Sequence, residues 1–254
     1  FFFFFFFFFF VFFLFLCRYT AQKARNSVDD LKIFCMKDKK QESRNLVEMK
    51  NFLDYNKKIN EEDNTFQKLM VIYKMAIKEL NTKVEIIKEE YKLFYNYDLI
   101  DHINFRIKEP DSIIKKMKNK ECKLTYKEMI ENINDIAGIR IVCSLKKDIF
   151  SIKNLLQKLP GVRTIKEKDY VTNPKKSGYS AYHIILGIPV VLSQQIIYVK
   201  VEVQIRTMAM DFWSSLEHKM KYKPEDVIDK KTSKEWVNCA KIINKLDNKM
   251  MLMS

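Results

Sequence analysis

Histidine, glycine and cysteine are all scarce in this sequence of 254 residues, and each scarcity excludes something. The three histidines, His102, His183 and His218, form neither an HExxH motif nor a His-Asp doublet. Zincin chemistry and His-Asp metal-dependent phosphohydrolase chemistry are therefore both unsupported. The five cysteines, Cys17, Cys35, Cys122, Cys143 and Cys239, are odd in number, widely spaced and never in a CxxC pair. That pattern gives no zinc site and no disulfide framework, and reduced thiols in a cytosol fit it best. Only four glycines occur, and Lys, Asn and Ile abound throughout, as in the product of an AT-rich coding sequence. The net charge of +14 points to an anionic partner, either nucleotides or nucleic acid, although in so lysine-rich a composition charge alone decides little. A hydrophobic content of 47% supports a packed core in one sizeable domain with appendages.

Residues 1–10 are all phenylalanine, and Val11 to Leu16 extend the apolar run up to Cys17 and Arg18. The run is barely long enough to span a bilayer, and it lacks a starting Met, a charged leading region and a small-residue cleavage site. It is read as translation of a T-rich tract ahead of the true start, with Met36 or Met49 as starts; a membrane anchor is the other reading. Residues 18–63 are polar and weakly periodic. The expected division is thus a low-complexity and linker extension over 1–63 and a folded domain over 64–254.

Order begins at Phe66, Leu69, Met70, Tyr73, Ile77, Leu80, Val84, Ile87, Tyr91 and Phe94, whose steps of three and four predict a long amphipathic helix after a cap at Asn64 or Thr65. Asn104 to Lys108 then place Arg106 and Lys108 on one side of an extended segment. Pro110, Asp111 and Ser112 open a helix carrying Lys115, Lys116, Lys118 and Lys120. Two cations at i and i+2 followed by a basic helix can grip a polyphosphate; a solvated face is the plainer reading.

The most informative stretch is 198–223, YVKVEVQIRTMAMDFWSSLEHKMKYK. Ile197, Val199, Val201, Val203 and Ile205 alternate with Tyr198, Lys200, Glu202, Gln204 and Arg206, the signature of a strand with one apolar and one polar face. From Met208 the period becomes helical: Met208, Phe212, Trp213, Leu216 and Met220 form the stripe expected to pack on the sheet, and Asp211, Ser215, His218 and Tyr222 form another. Lys, Glu, Gln and Arg in succession on the strand's polar face are the mixture a phosphate and metal site requires. A second acid, Asp135, stands before Ala137 and Gly138 and a buried strand from Ile139 to Cys143 that only Arg140 interrupts. Paired with Glu202 it is a candidate Mg²⁺ ligand, since that ion is held by one or two carboxylates plus substrate phosphates.

A crossover helix is expected from Asp148 to Leu159, and Lys168, Asp169 and Tyr170 start another extended segment. The loop from Asn173 to His183, NPKKSGYSAYH, is rich in cations and aromatics around Gly178. Lys175 and Lys176 suit phosphates and Tyr179 offers a stacking face. His183 to Pro189 return as a strand. The last amphipathic helix runs through Trp236, Ala240, Ile243 and Leu246.

The motifs RIKEPDSI, NDIAGIRIVC, KDYVTNPKKSGYSAYH, VEVQIRT and MDFWSSLEHKMKYK, in this order over 106–223, resemble the RelA/SpoT synthetase domain, nearest to the small single-domain alarmone synthetases of bacteria. The resemblance implies an α+β fold, a mixed β-sheet flanked by helices and akin to nucleotidyltransferases, with long N- and C-terminal helices. It implies a GTP diphosphokinase without a hydrolase domain, moving the β,γ-diphosphate of ATP to the 3′-hydroxyl of GTP or GDP. By similarity, Asp135 and Glu202 hold Mg²⁺, and Glu202 also orients or deprotonates the attacking hydroxyl. Arg106 and Arg140 clamp the adenine of ATP, with Lys108 and Lys116 on its phosphates. Tyr179 stacks on guanine, and Lys175, His183 and Gln204 line the acceptor side. Ser180 stands where many relatives carry Arg, which removes a phosphate contact. The resemblance further implies a cytoplasmic homo-oligomer, a tetramer, with no membrane partner. The other reading is a weakly active or inactive regulator on the same fold, which binds nucleotides or single-stranded RNA through Tyr179 and the lysines.

Overall fold

The computed structural model describes residues 46–48, 65–221 and 230–253. The expectations for the phenylalanine run, the linker and the alternative starts, and those for Tyr222 and Lys223, fall outside the described residues, Leu46 to Glu48 apart. The chain divides after Leu46, and the elements from Val47 onward belong to the second unit, Val47–Ser254.

Six helices and six strands are described. The strands are β1 (Leu46–Glu48), β2 (His102–Ile107), β3 (Ala137–Cys143), β4 (Arg163–Asp169), β5 (Tyr182–Val191) and β6 (Ile196–Thr207). The helices are α1 (Thr65–Tyr95), α2 (Pro110–Asn119), α3 (Tyr126–Asn132), α4 (Lys146–Lys158), α5 (Met208–Lys221) and α6 (Lys230–Leu252). The sheet runs β2-β3-β6-β5-β4, with β1 on β6 off that path. Along that path β3 and β6 pair in parallel and the other neighbours are antiparallel. The fold is therefore α+β with a mixed sheet, as expected.

The alternation in β6 decides which face is which. Val201, Val203 and Ile205 are buried on one side with Ile139, Ile141, Ile184 and Leu186 of the adjoining strands. Leu69, Tyr73 and Leu80 of α1 and Ile149, Ile152 and Leu156 of α4 complete that core. Each such side chain contributes about 2 kcal/mol when withdrawn from water. With one face so covered, the polar residues of β2, β3 and β6 are committed to the other.

Three expectations need correction. Lys168 and Asp169 end a strand rather than start one. Asp169 turns the chain by accepting from the Val171 and Thr172 backbone N–H groups at 2.8 and 2.9 Å. The strand it closes, β4, is an edge strand of sequence RTIKEKD, exposed at every position but the last, so it carries no alternation to read. Second, of the stripe Met208, Phe212, Trp213, Leu216 and Met220 expected to pack on the sheet, only Trp213 is buried, with Met210 and Ser214 of α5 beside it, and the other four are exposed. Two apolar stripes lie on that helix, and its entry chooses between them: Thr207 Oγ1 accepts from the Met210 N–H at 3.1 Å and so caps the first turn. Third, on α6 Ala240 is buried as expected, but Leu246 of the same predicted stripe is exposed and Asp247 is buried beside it.

Thr207 has no exposed surface and also donates to Asp247 Oδ2 of α6 at 2.7 Å. Thr207→Ala removes a cap and leaves a buried carboxylate without its donor, so it should destabilise the fold by about 2 kcal/mol in urea unfolding. Thr207→Ser should restore most of that; equal stability of the two variants would contradict the role given to the hydroxyl.

Candidate active site

The register across β2, β3 and β6 builds the site in rows. Arg106 lies opposite Gly138, and Gly138 opposite Glu202; Asn104 lies opposite Arg140, and Arg140 opposite Gln204. The second row continues to His183 on β5. At the centre of the first row Gly138 offers no side chain, and a Cβ there would meet Arg106 Cγ and Nε at 3.7 Å. The floor is thereby kept low. An open groove of about 210 Å³ results, lined by Asn104, Phe105, Arg106, Arg140, Glu202 and Gln204.

Asp135 stands two residues before β3. Its Oδ2 receives Lys108 Nζ at 2.9 Å and Lys116 Nζ at 2.7 Å. Burial pushes this carboxyl up, but the hydrogen bonds and charges of Lys116 and Lys108 outweigh it and hold its pKa below the usual value. Its other oxygen, Oδ1, is buried with no hydrogen-bond partner.

Glu202 is the end of a hydrogen-bonded chain. Arg206 Nη2 donates to Tyr179 Oη at 2.8 Å; Tyr179 Oη meets His183 Nε2 at 2.7 Å, and His183 Nδ1 meets Glu202 Oε1 at 3.3 Å. Arginine can only donate, so the tyrosine proton is free to go to Nε2, which leaves the imidazole proton on Nδ1, facing the carboxylate. Gln204 closes the ring, donating to Glu202 Oε2 at 2.8 Å and accepting from Arg206 Nη2 at 2.7 Å. Burial raises the Glu202 pKa and the Asp135 charge adds to that, but the hydrogen bonds from His183 and from the Gln204 amide bring it below the ordinary value.

Asp211, one turn into α5, accepts from Arg140 Nη1 and Arg206 Nη1, each at 3.1 Å. Burial lowers the pKa of Arg140, and the positive charges of Arg206 and Arg106 lower it further, while Asp211 opposes them. Three guanidinium groups thus crowd one wall with one carboxylate among them. On the other side, Lys175 Nζ lies 4.7 Å from the ring centres of both Tyr170 and Tyr179. Tyr170 stands edge-on to Tyr179 and to His183.

The structure therefore brings together the sequence-predicted residues in three groups: Asp135 with Lys108 and Lys116; Arg106, Arg140, Glu202 and Gln204 around the groove; and Tyr179 and His183 with Lys175 beside them. The sequence read Arg206 on the polar face of its strand with Glu202 and Gln204 but gave it no role of its own, and gave Asp211, Tyr170 and Asn104 no place in the site. Asn104 could have been found by carrying the alternation of Arg106 and Lys108 one step back. Asp211 and Tyr170 sit on a helix and a turn whose rotation no pattern revealed.

For Mg²⁺ the donors fit. Two carboxylates are close enough for one to raise the pKa of the other, and one of them has a buried oxygen without a partner. No group of three or more His, Cys, Asp or Glu exists among the described residues, so the ion's remaining ligands would come from phosphates and water. Cations on an acid that keeps a free oxygen, beside a guanidinium wall and an open groove, can bind a polyphosphate and neutralise charge developing on it.

Fold and site together define a phosphotransfer enzyme. The model of the region found in RelA / SpoT proteins matches residues 105–227. The chain is 44% identical over 182 residues to GTP pyrophosphokinase YwaC of Bacillus subtilis, covering 72% of this chain and 87% of that protein. It is similar to the crystal structure of small alarmone synthetase 1 from Bacillus subtilis bound to its product pppGpp, with a TM-score of 0.69 and 31% identity over 75% of this chain and 97% of that one. It is similar also to small alarmone synthetase 2 from the same organism, with a TM-score of 0.67 and 40% identity over 74% and 97%. The chain belongs to the RelA/SpoT family.

Asp135 and Glu202 both have folded-state pKa values below the unfolded ones, so the stability they bring is complete above the unfolded value, about 4, and is lost as pH falls through the folded values. Lys116→Met takes one cation from Asp135 and should lower the melting temperature at neutral pH while leaving it nearly unchanged well below about pH 4, where Asp135 is protonated, so that variant and parent curves converge on acidification. A difference of the same size at both pH values would contradict the pairing.

Proposed function

We propose that this RelA/SpoT-family enzyme is a (p)ppGpp synthetase that works through Asp135 and Glu202, transferring the β,γ-diphosphate of ATP to the 3′-hydroxyl of GTP or GDP and releasing AMP. The observation that carries the assignment of residues is the buried, unpartnered Oδ1 of Asp135 beside a second charged carboxylate at the groove. Residues 64–254 form the synthetase domain in this reading.

Asp135 and Glu202 would hold Mg²⁺. When bound, the ion would neutralise charge on the transferred phosphates. The rest falls to the chain's own side chains. Arg106 and Arg140 flank the groove as planar cations suited to stacking on the adenine. Lys108 and Lys116, now on Asp135, are within reach of the phosphates. Across the sheet, Tyr179 and His183 receive the guanosine side, and the base takes the face of Tyr179 over which Lys175 now lies. Glu202, depressed in pKa, is a weak base; its effect comes mostly from orienting the attacking hydroxyl, with His183 Nδ1 and the Gln204 amide fixing its two oxygens.

Among the described residues no helix is long and apolar enough to cross a membrane. A cytoplasmic enzyme is proposed on the ground of its nucleotide substrates. Exposed apolar residues on α1 (Leu93, Phe94) and α6 (Ile242, Leu246) support assembly into a homo-oligomer, a tetramer by the family resemblance. Single-stranded RNA could engage Tyr179 and the lysines in competition with nucleotide. The regulator reading is not favoured, since both carboxylates are present and held charged.

Glu202→Gln preserves shape and removes charge. With labelled ATP and GTP or GDP, chromatography should show transfer reduced on the order of a thousandfold in a protein that still folds cooperatively, at a somewhat lower unfolding temperature. Turnover at the parent rate would overturn the assignment.

A further inference from the structure

The loop that carries Tyr179 does not hang free over the site. It is closed on itself by Lys175 and Tyr179, with the Lys175 N–H donating to the Tyr179 carbonyl at 3.0 Å and the Gly178 N–H to the Lys175 carbonyl at 2.8 Å. At its turn Gly178 has φ of +90° and rests on the C-terminal helix. A Cβ built at Gly178 would fall well inside van der Waals contact of the Ala240 Cβ, and 3.7 Å from both Val237 Cα and Trp213 Cζ2. Between loop and helix there is only about 10 Å³ of space, bounded by Gly178, Ser180, Met210, Trp213 and Ala240 among others. That is room for at most one water.

The helix on the other side of this contact is itself pinned. Asp247 accepts from Thr207 at 2.7 Å. Lys146 Nζ donates to Asn244 Oδ1 at 2.9 Å and to Asn248 Oδ1 at 2.7 Å, and Trp213 Nε1 donates to the Trp236 carbonyl at 3.2 Å. These partners lie on β6, α4 and α5, so α6 is fixed to the elements that bear the site. The residue after Gly178 is the tyrosine whose hydroxyl joins Arg206 and His183. A backstop with almost no slack under Gly178 therefore sets the height of the Tyr179 ring above the sheet.

We propose that Ala240 is a positioning residue for the acceptor: by filling the space under Gly178, the C-terminal helix holds Tyr179 where guanine stacks. The proposal rests on the reading above that Tyr179 and His183 take the guanosine substrate. A larger side chain at 240 lifts the loop, and an added methyl at 178 does the same from above. The ATP side, built on β2, β3 and α2, touches neither residue.

The test uses the full chain and separate binding titrations of GDP and of a non-transferable ATP analogue, with steady-state kinetics. Ala240→Leu should weaken GDP binding and raise KM for GDP about tenfold, the scale of overpacking one buried contact, and leave binding of the ATP analogue within about twofold. Gly178→Ala should act in the same direction. Adding Ala240→Gly to Gly178→Ala removes the methyl that the new one meets and should recover GDP affinity about threefold, short of the parent value because an alanine at φ of +90° stays strained; this pair decides the matter if Ala240→Leu does not fold. Parent-like GDP affinity in folded Ala240→Leu and Gly178→Ala, equal losses for GDP and ATP analogue, or no recovery in the double variant would each overturn the proposal. Tyr179→Ala, measured alongside, separates the two levels. If it binds GDP like the parent, the acceptor reading and the proposal fall together. If it loses GDP while the 178 and 240 variants do not, the proposal alone falls.

Discussion

Two carboxylates kept charged on a half-covered sheet face are the constraint on which the rest depends. Burial alone would raise both pKa values, and each is instead held below the usual range by a different device. Asp135 is held by two ammonium groups on one oxygen, from the end of β2 and from α2. Glu202 is held by an imidazole and an amide, one on each oxygen. The difference has a functional reading. Lysines on flexible stems can transfer from Asp135 to a phosphate when substrate arrives, whereas the ring around Glu202 fixes an orientation.

The cost is borne by the cations. Arg206 and Arg106 are each close enough to Arg140 to repel it, and Asp211, which accepts from Arg140 and Arg206, offsets part of that. Arg140 and Arg206 each keep a buried Nε without a partner. A wall of this kind favours an anion over an empty groove, which is how a folded site stores binding energy for a polyphosphate. The same economy explains the neighbouring elements: the cap at Thr207 fixes the rotation of α5, and that rotation brings Asp211 to the arginines.

Much of this was legible in the sequence. The alternation of β6 named Glu202 and Gln204, the interrupted apolar run of β3 named Arg140, and the order of five motifs gave fold and reaction. What stayed hidden was set by contacts distant in sequence. An exposed edge strand such as β4 carries no alternation, so its start at Arg163 was passed over. The buried face of α5 depends on a cap and on α6, and periodicity offered two stripes without choosing. The ring from Arg206 through Tyr179 and His183 to Glu202 joins three elements and has no signature along the chain. Nor does the contact of Gly178 with Ala240, where the glycine is marked only by the φ its turn demands.

The claim that Asp135 and Glu202 form one metal-holding pair is tested most directly by anomalous diffraction from crystals grown with Mn²⁺ and a non-transferable ATP analogue. The account predicts a manganese peak within coordination distance, about 2.2 Å, of an oxygen from each carboxylate, with Asp135 Oδ1 among them and the phosphates completing the shell. A peak on the phosphates alone, with Asp135 still bound only by Lys108 and Lys116, would contradict it.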